Sequence, residues 1–263
     1  MLLRKWEQLP PEMQNESVRK YYDILCKKRC SLFLKRLFDI IVSFLLLVIF
    51  FPLFLILAAV IKCDSKGPVF FRQERVTSYG RRFRIFKFRT MVANAEELGT
   101  QVTVNEDCRV TKIGRVMRKL HLDETIQVLD ILMGRMSFVG TRPEVPRYTD
   151  QYTDEMMATL LLPAGITSLA SIVYQDEREL INGYEDVDKI YTEKILPEKM
   201  KYNLYALEHF TLGFDIKIML QTVYSVLNKN YRPAILRMES QQTSPRTGFS
   251  ETNDEVRPVQ NCE

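Results

Sequence analysis

Residues 40–61, IIVSFLLLVIFFPLFLILAAVI, run for 22 positions without a charge, and only Ser43 and Pro52 fall outside the apolar set. As a helix rising about 1.5 Å per residue, the run is long enough to cross a hydrocarbon core of roughly 30 Å. A helix buried in a water-soluble core would seldom continue this far without a polar stripe. Thirty-nine residues precede the run and no small-x-small cleavage pattern follows it, which argues against a secretory signal.

The flanks constrain the run further. Residues 19–36 carry seven basic side chains against one acid, and residues 62–90 carry nine against two. Basic residues tend to stay on the cytoplasmic side, so both ends are expected there. Pro52 removes a helical N–H and clashes with the preceding turn. A bent helix that dips into one leaflet and returns satisfies both flanks; a straight single pass with a tolerated proline is the alternative, and the charges alone leave the two balanced. The remaining composition, 46% apolar and 27% charged over 263 residues, suits one folded domain with appendages. Five cysteines without a C-x-x-C pair, and only two histidines, argue against a disulfide framework or a zinc site and fit a reducing compartment.

Beyond the run, GPVFFRQERVTSYGRRFRIFKFRTM has turn signals at Gly67-Pro68 and at Ser78 to Gly80, with aromatic and β-branched residues among arginines and lysines. It reads as a basic hairpin whose alternation slips at Ile85-Phe86. Such a surface suits lipid headgroups and phosphate, or single-stranded nucleic acid; beside a membrane segment the first pair is favoured. A polar stretch from Asn94 to Asp107 reads as a short helix and a loop. The cationic approach Arg109, Lys112, Arg115, Arg118 and Lys119 then leads to Asp123 and Glu124. Leu122, Ile126, Leu129 and Met133 recur at helical spacing, and Gly134 suits the helix end, so the acidic pair is expected in a first helical turn. Acids there are ordinary capping chemistry. Among arginines, however, a carboxylate can act as a nucleophile toward phosphorus, and a neighbouring carboxylate can hold Mg²⁺ against phosphate oxygens.

KRLFDIIVSFLLLVIFFP, GPVFFRQERV, FRIFKFRTM, HLDETIQVLDILMGRMSFVGTRPE and LLPAGIT, in that order, resemble the bacterial sugar transferases, the monotopic polyprenyl-phosphate phosphoglycosyl transferases, over about residues 33–225. The resemblance implies an α/β fold: a small membrane-associated domain with a re-entrant N-terminal membrane helix and amphipathic interfacial helices. It implies transfer of a phosphosugar from a UDP-sugar to polyprenyl phosphate, usually undecaprenyl phosphate, with release of UMP, through a covalent Asp-phosphosugar intermediate and with Mg²⁺. The setting implied is the cytoplasmic face of the bacterial inner membrane, with membrane lipid as partner and no nucleic acid. By the same resemblance Asp123 is the nucleophile and Glu124 the metal-associated carboxylate. Arg118 and Arg142 are basic positions near the substrate phosphates, Lys87 and Arg89 belong to the basic KFRTM signature, and Arg36 and Asp39 stand at the start of the membrane helix.

Three departures from the family pattern stand out. Phe51 replaces a serine before Pro52, Thr141 replaces a proline and so loosens the backbone before Arg142, and Ala164 to Ser171 lack a tryptophan expected in the site region, which puts the donor sugar in question. The expected organisation is a helical leader over 1–32, the re-entrant helix over 33–62, the catalytic domain over 63–230 and a disordered tail over 231–263. Residues 184–210 read as helical on both sides of Pro197. Ile216, Met219, Leu220, Val223 and Leu227 form one side of an amphipathic helix resting on the core or on headgroups. A non-catalytic membrane-anchored protein that binds anionic lipid or nucleic acid through the hairpin is the rival reading. A transferase using a CDP-linked donor is disfavoured by the lack of a repeated Asp-x-x-Asp pattern.

Overall fold

The structure, a computed structural model, describes residues 3–92, 95, 108–175, 187–228 and 231. The helix and loop expected between Asn94 and Asp107, and the tail expected over 231–263, fall outside the described residues but for Ala95 and Tyr231. Helices and strands are mixed around one long apolar helix.

That helix, Arg29–Asp64, is continuous through Pro52. Its buried residues are Leu32, Lys35, Asp39 and Ser43, then Phe54, Leu57 and Ile61. The steps are three or four residues, and the step from Ser43 to Phe54 is close to three whole turns, so all seven lie on one stripe. The opposite side exposes Ile41, Phe44, Val48, Ile49, Phe51 and Ile56. The first half is tied to the body by Lys35, whose Nζ donates to Val139 O at 2.8 Å and pairs with Asp215 at 2.5 Å. Arg36 donates to the carbonyls of Ile131 and Leu132, and Asp39 accepts from Phe138 N at 3.3 Å. The second half packs Phe54 on Phe88, ring centroids 5.8 Å apart, and ends where Ile113 N donates to Asp64 and Arg89 donates to Ser65 O at 2.7 Å. None of the ten residues between Ser43 and Phe54 is fully buried. At about 1.5 Å per residue they span roughly 15 Å, half of a hydrocarbon core.

The first residues do not stand apart from the body. Asn15 caps a helix over Glu16–Cys26 by accepting from Val18 N. Leu9, Met13, Val18, Tyr21, Tyr22 and Leu25 are buried in one cluster with Val76, Leu160, Leu161, Leu162, Leu204, Leu207 and Phe210. Tyr21 donates to Glu155, Lys28 donates to Glu208 O, and Lys20 pairs with the Glu208 carboxylate.

The basic hairpin is present: Phe70–Val76 and Arg82–Phe88 pair antiparallel from Phe70↔Phe88 to Val76↔Arg82. The slip in alternation has a cause on each face. The Arg72 guanidinium lies 3.5 Å from the centre of the Phe86 ring, and Phe86 N donates to the buried Asp130 carboxylate, while the next residue, Lys87, turns to Glu124. A second sheet pairs Met136–Val139 with Ala164–Thr167 in parallel. Just past its first strand, Gly140 and Gly165 meet back to back: a Cβ on Gly165 would stand 2.2 Å from Gly140 N.

Pro197 sits in the first turn of the helix Leu196–Glu208, and a π-helical turn, Tyr191–Ile195, precedes it. The last helix, Leu212–Leu227, turns Asp215, Thr222 and Ser225 inward and leaves Lys217 exposed. Asp215, Ile218 and Ser225 are buried and Thr222 bonds Thr167, whereas Ile216, Leu220, Val223 and Leu227 face outward. Of the expected apolar side, only Met219 packs on the core.

Candidate active site

The acidic pair lies in a single tight turn. His121 adopts a left-handed conformation, φ 53°, and Leu122–Gln127 then form a 3-10 helix before a short α-helix, Val128–Leu132. The first-turn placement of Asp123 and Glu124 is therefore as expected, but the turn is 3-10. Three residues per turn instead of 3.6 rotate the face, so Ile126, Gln127, Val128, Asp130 and Ile131 go inside while Met133 is exposed. The α-helix that follows has five residues, too short to supply much of a helix dipole to the acidic pair.

Three elements bring cations to this turn. From the hairpin, Lys87 donates to Glu124 Oε1 at 2.9 Å. From the loop after Val139, Arg142 clasps Glu124 with both arms, Nη2 to Oε1 at 2.5 Å and Nη1 to Oε2 at 3.1 Å. From the helix Lys112–Lys119, Arg118 acts on Asp123 by charge and donates its Nε–H to Thr90 Oγ1 at 2.8 Å. That helix crosses the backbone of Thr90 so closely that a Cβ on Gly114 would meet Thr90 O at 2.0 Å. Arg75 joins the cluster, with its charge acting on both Glu124 and Arg142. In the sequence it is one basic residue among several in the hairpin, with nothing local to mark it as a site position.

Among the described residues no cation forms an ion pair with the Asp123 carboxylate. Burial first, and the Glu124 charge second, push Asp123 above its ordinary value, with Lys87 and Arg118 pulling the other way. The charge of Arg118 alone therefore does not set its ionisation. Burial would also raise Glu124, but Arg142 and then Lys87, by charge and by hydrogen bonds, hold it well below the usual carboxylate range. Lys87 is lowered by burial, with Arg142 and Arg75 crowding it and Glu124 opposing. The two acids thus diverge: cations crowd around Glu124, where an incoming diphosphate would relieve Lys87, Arg142 and Arg75 of one another, while Asp123 answers chiefly to burial and to the Glu124 charge.

Arg89 is not brought to the pair. Its guanidinium is buried at the end of the long helix, where Nη2 donates to Ser65 O and to Ser65 Oγ. Within Ala164 to Ser171, the place of the absent tryptophan is held by Leu169; it is 3% exposed and shares a buried cluster with Ile131, Met136 and Phe138. The departure therefore alters core packing and does not line the acidic turn. Nor is the loop before Arg142 loose: Gly140 N donates to Thr167 O and Gly165 N donates to Thr141 O, at 3.0 and 2.9 Å.

For a divalent cation, the described residues hold no cluster of three or more His, Cys, Asp or Glu side chains. Mg²⁺ in phosphate chemistry commonly needs only one or two carboxylates together with substrate phosphates, and the Asp123–Glu124 pair fits that arrangement. Both Glu124 oxygens are engaged by cations, so Asp123 is the more open of the two.

Residues 30–229 match the profile of the bacterial sugar transferases. The chain is 36% identical over 199 residues to a UDP-N-acetylgalactosamine-undecaprenyl-phosphate N-acetylgalactosaminephosphotransferase of Aeromonas hydrophila, covering 74% of this chain and 44% of that protein. It is 36% identical over 201 residues to a UDP-glucose:undecaprenyl-phosphate glucose-1-phosphate transferase of Klebsiella pneumoniae, covering 74% and 41%. It is 34% identical over 194 residues to EpsL of Bacillus subtilis, an uncharacterized sugar transferase, covering 74% and 87%. The chain thus spans less than half the length of the first two relatives and most of the third. A profile match across most of the folded body, with the acidic turn and its cations inside it, makes this chain a member of the bacterial sugar transferase family.

Proposed function

We propose that this chain transfers a phosphosugar from a UDP-sugar to undecaprenyl or another polyprenyl phosphate, releasing UMP, as the membrane step that starts polysaccharide or glycoconjugate synthesis. The observation that carries the reading is the division of labour in the acidic turn. Glu124 absorbs Lys87 and Arg142, and Asp123 beside it keeps its carboxylate out of the ion pairs. The names of the Aeromonas and Klebsiella relatives support the donor and acceptor classes.

In this mechanism the donor diphosphate takes Arg142 and Arg118 as its counter-charges. An Asp123 oxygen attacks the phosphorus that bears the sugar, and the bond from that phosphorus to the bridging oxygen breaks. UMP leaves with the electron pair, and the phosphosugar remains as an acyl phosphate on Asp123. An oxygen of polyprenyl phosphate then attacks the same phosphorus, and Asp123 departs as the carboxylate. Lys87 and Glu124 hold the charge balance around the turn. Mg²⁺, where present, would be held by the dyad carboxylates together with the donor phosphates and would neutralise part of the diphosphate charge. Arg89 serves this site indirectly, by securing the end of the membrane helix beside which the acceptor lipid arrives.

The test uses purified full-length chain, Mg²⁺ and labelled UDP-sugars without acceptor. About one equivalent of UMP per active enzyme, with phosphosugar retained on the Asp123 peptide, is the expected result. UMP release only when polyprenyl phosphate is also present would rule out the covalent route. Binding of anionic lipid or nucleic acid with no UMP release under any condition would favour the non-catalytic reading.

For the membrane, the reading is a re-entrant helix entering and leaving on the cytoplasmic face of the bacterial inner membrane. It is supported by the basic flanks and by the shortness of the stretch between the two buried parts of the stripe. The outward apolar side of Leu212–Leu227 would rest at the same lipid interface. Cysteines introduced singly near Arg19 and near Ser78 are expected to be protected together from an impermeant reagent in intact cells. Labelling at Arg19 with protection at Ser78 would establish a straight pass.

A further inference from the structure

The loop that presents Arg142 is gripped from behind by side chains outside the acidic turn. Pro143 O accepts from Arg75 Nη1 at 3.0 Å, and Glu144 O accepts from Val76 N at 2.9 Å. The Glu144 carboxylate acts by charge on Arg75 and lies in a buried cluster: Tyr191 Oη donates to its Oε1 at 2.6 Å, and Lys199 Nζ lies 3.7 Å from the same oxygen while donating to Tyr191 Oη at 3.0 Å. Glu144 is 6% exposed, Tyr191 3% and Lys199 4%.

A carboxylate and an ammonium held this deep are costly to desolvate, and cavity-filling apolar residues would be the cheaper way to pack a core. What the charged cluster adds is direction. Glu144 is two residues from Arg142, and Pro143 between them restricts the backbone, so the place of the carboxylate limits where the Arg142 backbone can go. The helix supplying the donors is built for this reach. Positions eight apart in an uninterrupted α-helix lie about 80° apart around the axis, which would set Tyr191 and Lys199 at opposite edges of one stripe. The π-helical turn Tyr191–Ile195 adds width between them, and both side chains meet at one oxygen.

We propose that Tyr191 and Lys199 are positioning residues for donor binding: by fixing Glu144 they hold the loop that places the Arg142 guanidinium against the donor diphosphate. The inference rests on the reading that Arg142 binds that diphosphate, and it assigns neither residue a contact with substrate. A guanidinium that must meet two phosphate oxygens at once is sensitive to small shifts of its backbone, so loosening the loop should weaken binding of the diphosphate before it weakens the fold.

The test is a double-mutant cycle on the full-length chain in lipid nanodiscs, with UDP as the probe and calorimetry as the readout. Tyr191→Phe removes one hydroxyl and leaves Glu144 facing Lys199. It is expected to weaken UDP about five- to tenfold, beside the modest fall in melting temperature that loss of one buried hydrogen bond brings. Lys199→Met should act in the same direction and Lys199→Arg should restore most of the affinity. Arg142→Lys alone should weaken UDP by about tenfold or more, since a lysine cannot make the paired contact. In the Arg142→Lys background, Tyr191→Phe should change affinity by less than about twofold, because the group it positions is gone. An equal loss from Tyr191→Phe in both backgrounds, or a lowered melting temperature with UDP affinity intact, overturns the positioning role and leaves the proposed function standing. Unchanged UDP affinity in Arg142→Lys removes Arg142 from the donor site and overturns both the contact and the inference built on it.

Discussion

Asp123→Asn is expected to lower turnover by at least about 10⁴-fold and to abolish any phosphosugar adduct, since the amide keeps the shape of the carboxylate but cannot be the nucleophile. The fold should survive, because among the described residues no ion pair ties Asp123 to a cation and its burial disfavours the charge that the substitution removes. Glu124→Gln makes a separate demand. It releases Lys87 and Arg142 and removes the like charge that helps push Asp123 upward. Activity needs Asp123 ionised, so in the native chain it should fail on the acid side as pH falls through a raised Asp123 value. In Glu124→Gln that acid limb should move to lower pH, with maximal turnover also reduced. The pH–rate profile of the two chains decides the matter. Retention of turnover within about tenfold in Asp123→Asn would discard the nucleophile assignment.

The second large effect is expected from removing residues 1–28, all of which precede the stretch matched by the family profile. Leu9, Met13, Val18, Tyr21, Tyr22 and Leu25 are each 5% exposed or less. At about 1.5–3 kcal/mol per buried side chain they contribute a gross stabilisation of the same order as the whole net stability of a typical domain, about 5–15 kcal/mol. Ordering the leader offsets part of this. Its removal would nevertheless uncover Leu160, Leu161, Leu162, Leu204, Leu207 and Phe210 together, and the shortened chain is expected to aggregate on extraction. The milder Leu25→Ala should cost about 2–5 kcal/mol and lower the melting temperature of the intact chain. A chain beginning at residue 29 that melts like the full-length protein would show that the leader is dispensable.

What could be read along the chain is what rests on local pattern. The hairpin announced itself through its turn residues and aromatic content, the long helix through its unbroken apolar run, and the acidic turn through cations spaced around it. The roles that depend on distant partners were not legible. Lys35 stands in the sequence as one more basic flank residue, yet its partner Asp215 is 180 positions away, on a helix whose apolar side could by pattern alone rest either on the core or on headgroups. Glu144 drew no attention, because Tyr191 and Lys199 sit in a segment that carried no motif. Arg75 could have been found by noticing that it shares the GPVFFRQERV segment, but only the approach of the Arg142 loop gives it a task. The 3-10 geometry of Leu122–Gln127 was hidden because its apolar spacing fits an α-helix equally well over two turns.

The polar stripe of the long helix also bears on how such a chain comes to exist. Lys35 and Asp39 find their partners in the folded body, whereas the exposed apolar residues on the other side find none there and, on the proposed membrane reading, are covered by lipid. Neither solvent suits the helix by itself, so insertion and folding are one linked equilibrium in which the bilayer acts as a ligand of the native state. On that reading the helix is not a transferable anchor that could be exchanged for another hydrophobic segment, and the folded body is not a self-sufficient unit that happens to be tethered. Cutting the chain between them would leave Asp215 without its lysine and Phe88 without Phe54, so the membrane's grip on the protein reaches inside the fold itself.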